Sequence, residues 1–342
     1  MSLQIRQGCY TCDMKERLLN SSAHILGGSY DPEFTRRIAS ELGQEPGEVA
    51  LTRFANSEIK AEVPTVRGDH VFVIQSHGAP VDQQIMEQLA IINAAKRAGA
   101  RIVTAVMPYR GYSRADKPDN SHESFMGPLT MRFFAEAGAD RIIEVDPHAG
   151  QSAGFLSNFN TDYIAVPSLP AVQDYIKTEI AHNDIADACI VAPDAGRAKL
   201  NERYADNLLL PLAIIHKRRI GANVVSKAID VVGDVAGKHC FMIDDMVDTA
   251  GTIVNGAEKL RDLGASNVTI LATHGIFSGP AIERLSLAKA SGIIGDIAVT
   301  DTLRRPEDTP EGLVSTISVA PLVATAIRNV FYDQSVSNGY RA

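Results

Sequence analysis

Short apolar runs alternate with amphipathic stretches along almost the whole chain. HVFVIQ (70–75), RIVTAVMPY (101–109), RIIEVD (141–146), ACIVAPD (188–194), LAIIHK (212–217), HCFMIDD (239–245) and NVTILATHG (267–275) are nearly continuous in apolar residues. That is the pattern of strands covered on both faces. Between several of them, segments such as QQIMEQLAIINAAKRAGA and TIVNGAEKLRDLGA follow a helical period and close near a glycine. The alternation predicts an α/β architecture built on mainly parallel sheets. Ligands of such sheets bind beyond the carboxyl ends of the strands, so the residues just after each run carry the functional interest.

The two halves of the chain also look alike. Residues 68–106, GDHVFVIQSHGAP through AAKRAGARIVTAV, align with 237–271, GKHCFMIDDMVDTAG through EKLRDLGASNVTIL. Both run glycine, polar residue, histidine, strand, helix, glycine, strand, and the second copy is shorter by roughly one helical turn, which indicates a duplicated domain. The copies diverge where chemistry would lie. The first reads Gln75-Ser76-His77-Gly78 and the second Asp244-Asp245-Met246-Val247-Asp248.

Length and composition sharpen this picture without changing it. A chain of 342 residues is long for one core and suits two domains of about 150–170 residues. With 33 Lys and Arg against 41 Asp and Glu, the net charge of −8 argues against a nucleic-acid surface. The start, MSLQIRQGCYTCDMKER, has no signal-peptide core, and no uncharged stretch of 18 apolar residues occurs, so the cytoplasm is the expected compartment. Four cysteines make no disulfide framework; Cys189 and Cys240 fall inside apolar runs and read as buried thiols. Cys9 and Cys12 form a single C-x-x-C with no second pair nearby, which fits an unstructured tail better than a zinc or redox site.

The most informative stretch is Asp244-Asp245-Met246-Val247-Asp248-Thr249-Ala250-Gly251-Thr252. A strand delivers two adjacent carboxylates, then a small, hydroxyl-rich loop opens a helix near Thr252. Loop and helix-start N–H groups suit a phosphate monoester, and the helix dipole favours its charge. Gly251 lets the backbone approach closely, and the carboxylate pair can accept hydrogen bonds from vicinal sugar hydroxyls. Phosphate at one end and a diol at the other describe a ribose 5-phosphate unit.

This run resembles the phosphoribosyl-binding signature of the phosphoribosyltransferase fold. Further motifs extend the resemblance, from about residue 23 to the C-terminus, to the phosphate-dependent ribose-phosphate pyrophosphokinases. They are Arg53-Phe54-Ala55-Asn56-Ser57-Glu58, Ser113-Arg114-Ala115-Asp116-Lys117, Asp146-Pro147-His148-Ala149-Gly150, Pro193-Asp194-Ala195-Gly196, Lys217-Arg218-Arg219 and Ala272-Thr273-His274-Gly275. The resemblance implies two tandem phosphoribosyltransferase-like domains. They would span 23–166 and 167–342 after an N-terminal extension at 1–22, with the C-terminal tail packing back on the first. Phe54, Asn56 and Glu58 then resemble a nucleotide-binding hairpin, their spacing placing them on one face of a strand. Arg114 and Asp116 resemble further ATP contacts, the arginine reaching the ATP site of a neighbouring subunit. His148 and Asp194 resemble the ligands of Mg²⁺, a metal that prefers oxygen donors, so the histidine suits it less well. Lys217 and Arg219 resemble the two cations of a mobile catalytic loop.

The implied reaction passes the β,γ-pyrophosphoryl group of ATP to C1 of ribose 5-phosphate, giving the activated sugar used in nucleotide, histidine and tryptophan biosynthesis. The implied assembly is a homohexamer. Several positions depart from the pattern. Segment 118–124, with His122 and Glu123, replaces a basic run that serves phosphate and ADP regulation in relatives. Ala115 stands for a glutamine, Arg197 and Leu200 for a glycine and an arginine, and the N-terminal extension has no counterpart. If Arg197 reaches phosphate from its new position, the charge of the usual arginine is relocated rather than lost. Two rival readings are a non-catalytic regulatory subunit and a nucleobase phosphoribosyltransferase. The first would lack the cations and the acidic loop; the second would not need the F-x-N-x-E hairpin.

Overall fold

The computed structural model describes residues 22–118, 120–219 and 227–336, the side chains of 217–219 and 227–229 excepted. The described chain divides into two compact units, one running to Pro167 and resuming at Ala320, the other spanning Ser168–Val319. Cys9, Cys12 and the rest of the N-terminal extension to residue 21 lie outside the described residues.

In the first unit β1 (Ala23–Gly27) is followed by α1 (Pro32–Glu41). Asp31 caps that helix by accepting the Phe34 N–H, and Pro32 opens it where no N–H is needed. Next come an antiparallel hairpin, β2 (Ala50–Arg53) and β3 (Ile59–Glu62), then β4 (His70–Ile74), α2 (Val81–Arg97), β5 (Ile102–Met107), α3 (Met126–Ala137), β6 (Arg141–Val145) and β7 (Asp162–Val166). The sheet order is β1-β4-β5-β6-β7, parallel throughout. Every residue of β4 is buried, and its valines pack with Leu26, Ile91, Ile92, Val103 and Phe134. The helix Ala320–Phe331 belongs to this unit as well: it packs against α1, and Arg328 donates to the Glu41 carbonyl at 2.8 Å.

A charged pair lies at the end of this sheet. Arg110 Nε donates to Glu144 Oε2 at 3.0 Å, with side-chain exposures of 0% and 2%. Tyr163 also donates to Glu144, at 2.8 Å, and Arg110 Nη2 to Ser152 Oγ at 3.2 Å. Burial and the Glu144 charge push the Tyr163 hydroxyl well above the usual phenol range, so it stays a donor.

The second unit contains α4 (Leu169–His182), β8 (Ala188–Ala192), α5 (Ala198–Leu208), β9 (Leu212–Arg219), β10 (Lys227–Val232), β11 (His239–Val247), α6 (Gly251–Asp262), β12 (Asn267–Gly275), α7 (Ala281–Ala290), β13 (Asp296–Thr300) and β14 (Ser315–Ile317). The order is β10-β9-β8-β11-β12-β13-β14; β10 is antiparallel to β9 and the remaining pairs are parallel. Cys189 and Cys240 face each other across β8 and β11, both fully buried, as free thiols 3.7 Å apart.

The repeat seen in the sequence is a repeat in structure. β4-α2-β5 and β11-α6-β12 are both strand–helix–strand units with adjacent parallel strands, and the helices have 17 and 12 residues. Even the closing turns coincide: the Gly68 N–H donates to the Gly99 carbonyl at 2.9 Å, and the Gly237 N–H to that of Gly264 at 2.8 Å. All four glycines have φ between 74° and 89°, a region that L side chains rarely adopt.

Candidate functional site

β11 runs two residues further than its apolar stretch suggests, because Met246 and Val247 still pair with His274 and Gly275 of β12. Asp244 and Asp245 therefore sit just inside the carboxyl end of the strand. Beyond it, Asp248 and Thr249 lead into α6 through Ala250, a buried residue with φ of 60°. Thr249 and Thr252 are exposed, Gly251 opens the helix, and the loop lies where the helix dipole is most positive. The structure thus joins Asp244, Asp245, Asp248, Thr249, Ala250, Gly251 and Thr252 in one strand–loop–helix corner.

A neighbouring corner faces the carboxylates. β8 ends before Asp194, which caps a 3-10 turn, Ala195–Arg197, its Oδ1 accepting the Arg197 N–H at 3.1 Å. The turn aims Arg197 at the acidic pair: Nε lies 3.6 Å from Asp244 Oδ1, and Nη2 pairs with Asp245 Oδ2. Buried Asn201 ties the two corners together, donating to the carbonyls of Arg197 and Ile243 at 3.1 Å each. Burial first, and then the hydrogen bond and charge of Asp245, push the Asp244 carboxyl up to about 7; the Asp245 N–H and Arg197 oppose that rise. The Arg197 guanidinium thus rests on the two carboxylates. Neither that pairing nor Asn201 had a sequence signal, since the partners are more than 40 residues apart.

Two expectations need correction. Residues 54–58 are not a strand face but the turn joining β2 to β3. The Phe54 N–H donates to the Glu58 carbonyl at 2.9 Å, Asn56 Oδ1 accepts the Glu58 N–H at 3.2 Å, and Ser57 takes a φ of 71°. An asparagine side chain that accepts a nearby N–H competes with the ladder and favours a turn. Phe54, Asn56 and Glu58 still share that tip, and the Phe54 ring is 57% exposed. Lys217 and Arg219, expected on a loop, belong by backbone to β9, opposite Ile229 and Lys227 of β10. Their side chains lie outside the described residues.

Elsewhere in the first unit, Arg114 lines a cavity of about 380 Å³ with Asp82, Tyr109 and Tyr112. Gln151 donates to the Asp116 carbonyl at 2.9 Å and to its Oδ2 at 2.8 Å. That contact brings the loops after β5 and β6 together, so Arg114, Asp116 and half-buried His148 occupy adjacent loops at one sheet end. His148 and Asp194 belong to different compact units. Among the described residues no three His, Cys, Asp or Glu side chains cluster tightly enough to hold a metal unaided. Asp194 by itself offers the oxygen donors that suit a hard cation taking most of its ligands from water and substrate.

Two parallel α/β units in tandem, the second carrying a carboxylate pair and a hydroxyl-rich loop at a helix start, define a phosphoribosyltransferase-type protein. Comparisons with known proteins narrow this class. Residues 23–138 match the N-terminal domain of ribose phosphate pyrophosphokinase, and residues 221–341 match a phosphoribosyl synthetase-associated domain. The ribose-phosphate pyrophosphokinase of Bifidobacterium longum is 42% identical over 92% of this chain and 91% of its own. That of Clostridium perfringens is 38% identical over 92% and 96%. A crystal structure of phosphoribosylpyrophosphate synthetase from Mycobacterium smegmatis matches with a TM-score of 0.82 and 38% identity, covering 92% of this chain and all of that one. The chain belongs to the ribose-phosphate pyrophosphokinase family.

Proposed function

We propose that this enzyme moves the β,γ-pyrophosphoryl group of Mg-ATP to the C1 hydroxyl of ribose 5-phosphate, giving 5-phosphoribosyl 1-pyrophosphate and AMP. The observation that carries the reading is the corner holding Asp244 and Asp245 beside the loop 248–252. The loop and the first turn of α6 hold the 5-phosphate, and the carboxylates accept the ring hydroxyls, which sets C1 toward the donor. The C1 oxygen attacks the β-phosphorus in line as the bond to the α-phosphate oxygen breaks and AMP leaves. Such transfers depend on positioning and on charge stabilisation. Lys217 and Arg219 supply cations for the charge developing on the triphosphate. Phe54, Asn56 and Glu58 hold adenine at the hairpin tip, with Arg114 and Asp116 as further ATP contacts. Asp194 would offer oxygen and His148 nitrogen to Mg²⁺, which when bound would supply positive charge against the phosphates.

A coupled assay for AMP tests this directly, with release expected only when ATP and ribose 5-phosphate are both present. No release would leave a regulatory subunit. Base-dependent pyrophosphate release without ATP would make it a nucleobase phosphoribosyltransferase.

The acidic pair adds a pH signature. Asp244 has a folded-state carboxyl raised to about 7, so between the ordinary carboxylate range and pH 7 the sugar-free protein binds a proton that the unfolded chain does not. Stability from this group therefore falls as pH rises through that window. Diol binding uses the ionised form, so KM for ribose 5-phosphate should fall as pH rises through about 7. Arg197→Gly removes the cation that holds Asp244 down, and the midpoint should move upward by about one pH unit. An unmoved profile would exclude Asp244 from sugar binding.

We assign a homo-oligomer, a hexamer by likeness to the family. Its support here is an apolar stripe on and beside α3, where Phe125, Leu129 and Phe133 are exposed at a spacing of four. We assign the cytoplasm as well: no helix among the described residues is long and apolar enough to cross a membrane, and the Cys189–Cys240 pair of free thiols suits a reducing compartment.

A further inference from the structure

Three consecutive carbonyls of the sugar-phosphate loop are held from one side, by the segment between β12 and the first turn of α7. Val247 O accepts the N–H groups of Ile276 at 2.9 Å and Phe277 at 3.0 Å; Asp248 O accepts that of Ser278 at 3.0 Å. Thr249 O accepts Arg284 Nη1 at 2.9 Å. In a planar trans peptide the carbonyl and the following N–H point in opposite directions. Fixing these three carbonyls therefore turns the N–H groups of Asp248, Thr249 and Ala250 away from residues 276–284. Ala250 adds a left-handed φ of 60°, the backbone element with which successive amides converge on an anion.

The first tethers join backbone to backbone, and the last depends on one side chain. Arg284 sits in the first turn of α7, which is pinned beside it by fully buried Leu285. Its guanidinium also lies over the start of α6: a Cβ built on Gly251 would stand 3.2 Å from Nη1. A charged donor on this carbonyl makes the Thr249–Ala250 peptide costly to flip.

We propose that Arg284 is a positioning residue for the sugar phosphate, locking the Thr249–Ala250 peptide so that the Ala250 N–H is presented to the 5-phosphate. The proposal rests on the reading of loop 248–252 as the ribose 5-phosphate site. Arg284→Ala should raise KM for ribose 5-phosphate about ten-fold, with kcat and KM for ATP within about two-fold. Because the tether exists before the sugar arrives, amide hydrogen exchange across 248–252 should also quicken in the sugar-free variant. An unchanged KM for ribose 5-phosphate would overturn the proposal. So would a raised KM with unaltered loop exchange, which would make Arg284 a direct phosphate contact instead. Thr252→Ala separates the two levels of the argument: if it raises KM for ribose 5-phosphate while Arg284→Ala does not, only the Arg284 role fails. If neither variant moves it, the loop is not the sugar-phosphate site.

Discussion

Lys217→Ala should lower kcat about 100- to 1000-fold while KM for ribose 5-phosphate stays within about two-fold, the signature of a charge that acts chiefly in the transition state. Two features separate the effects. The proposed diol and phosphate contacts would come from β11 and α6, whereas Lys217 lies on β9, with β8 between the two strands in the sheet. Its removal leaves the acidic corner and the loop intact. Charge on the donor grows as the bond to the α-phosphate breaks, and a cation acting on that charge stabilises the transition state more than the ground state. Steady-state AMP release at varied sugar and ATP measures both constants. Near-normal turnover would remove Lys217 from the role assigned to it.

Glu144→Gln should lower the Tm by about 10 °C, and here the argument is one of stability alone. The substitution keeps the volume and leaves an acceptor for Tyr163, but it strips the counter-charge from Arg110, whose side chain is 0% exposed and whose Nη1 has no protein hydrogen-bond partner. A buried charge left without its partner costs about 3–5 kcal/mol, and about 2–4 °C accompanies each kcal/mol in domains of this size. Calorimetry of Glu144→Gln beside a Glu144→Leu/Arg110→Met double variant gives the check. The double variant should recover much of the loss, because it buries no lone charge. An unchanged Tm in the single variant would mean that Arg110 finds solvent or another partner.

The seven apolar runs all form strands, since continuous burial leaves a composition that no exposed segment shares. The strand–loop–helix corner at 244–252 was equally visible, because its carboxylates, hydroxyls and glycine are neighbours in the chain. Shorter or less apolar strands such as Ala23–Gly27, Asp162–Val166 and Ser315–Ile317 stood out less. Alternate spacing in Phe54-x-Asn56-x-Glu58 imitates a strand, although the Asn56-Ser57 pair carries turn chemistry. At Arg218-Arg219 the charges hid the last two residues of a strand, which its pairing with β10 defines. Arg197 and Arg284 remained out of reach for another reason: each meets its partner through the fold, 47 or 48 residues away for Arg197 and 35 for Arg284.

The helix Ala320–Phe331 packs on α1, so the first unit borrows its last piece from the far end of the chain. During synthesis the second unit can close before the first is whole, reversing the usual N-to-C order of domain completion. Until residues 320–331 leave the ribosome, the face of α1 that receives this helix stays uncovered. Truncation ahead of Ala320 would accordingly injure the half of the enzyme that was translated first.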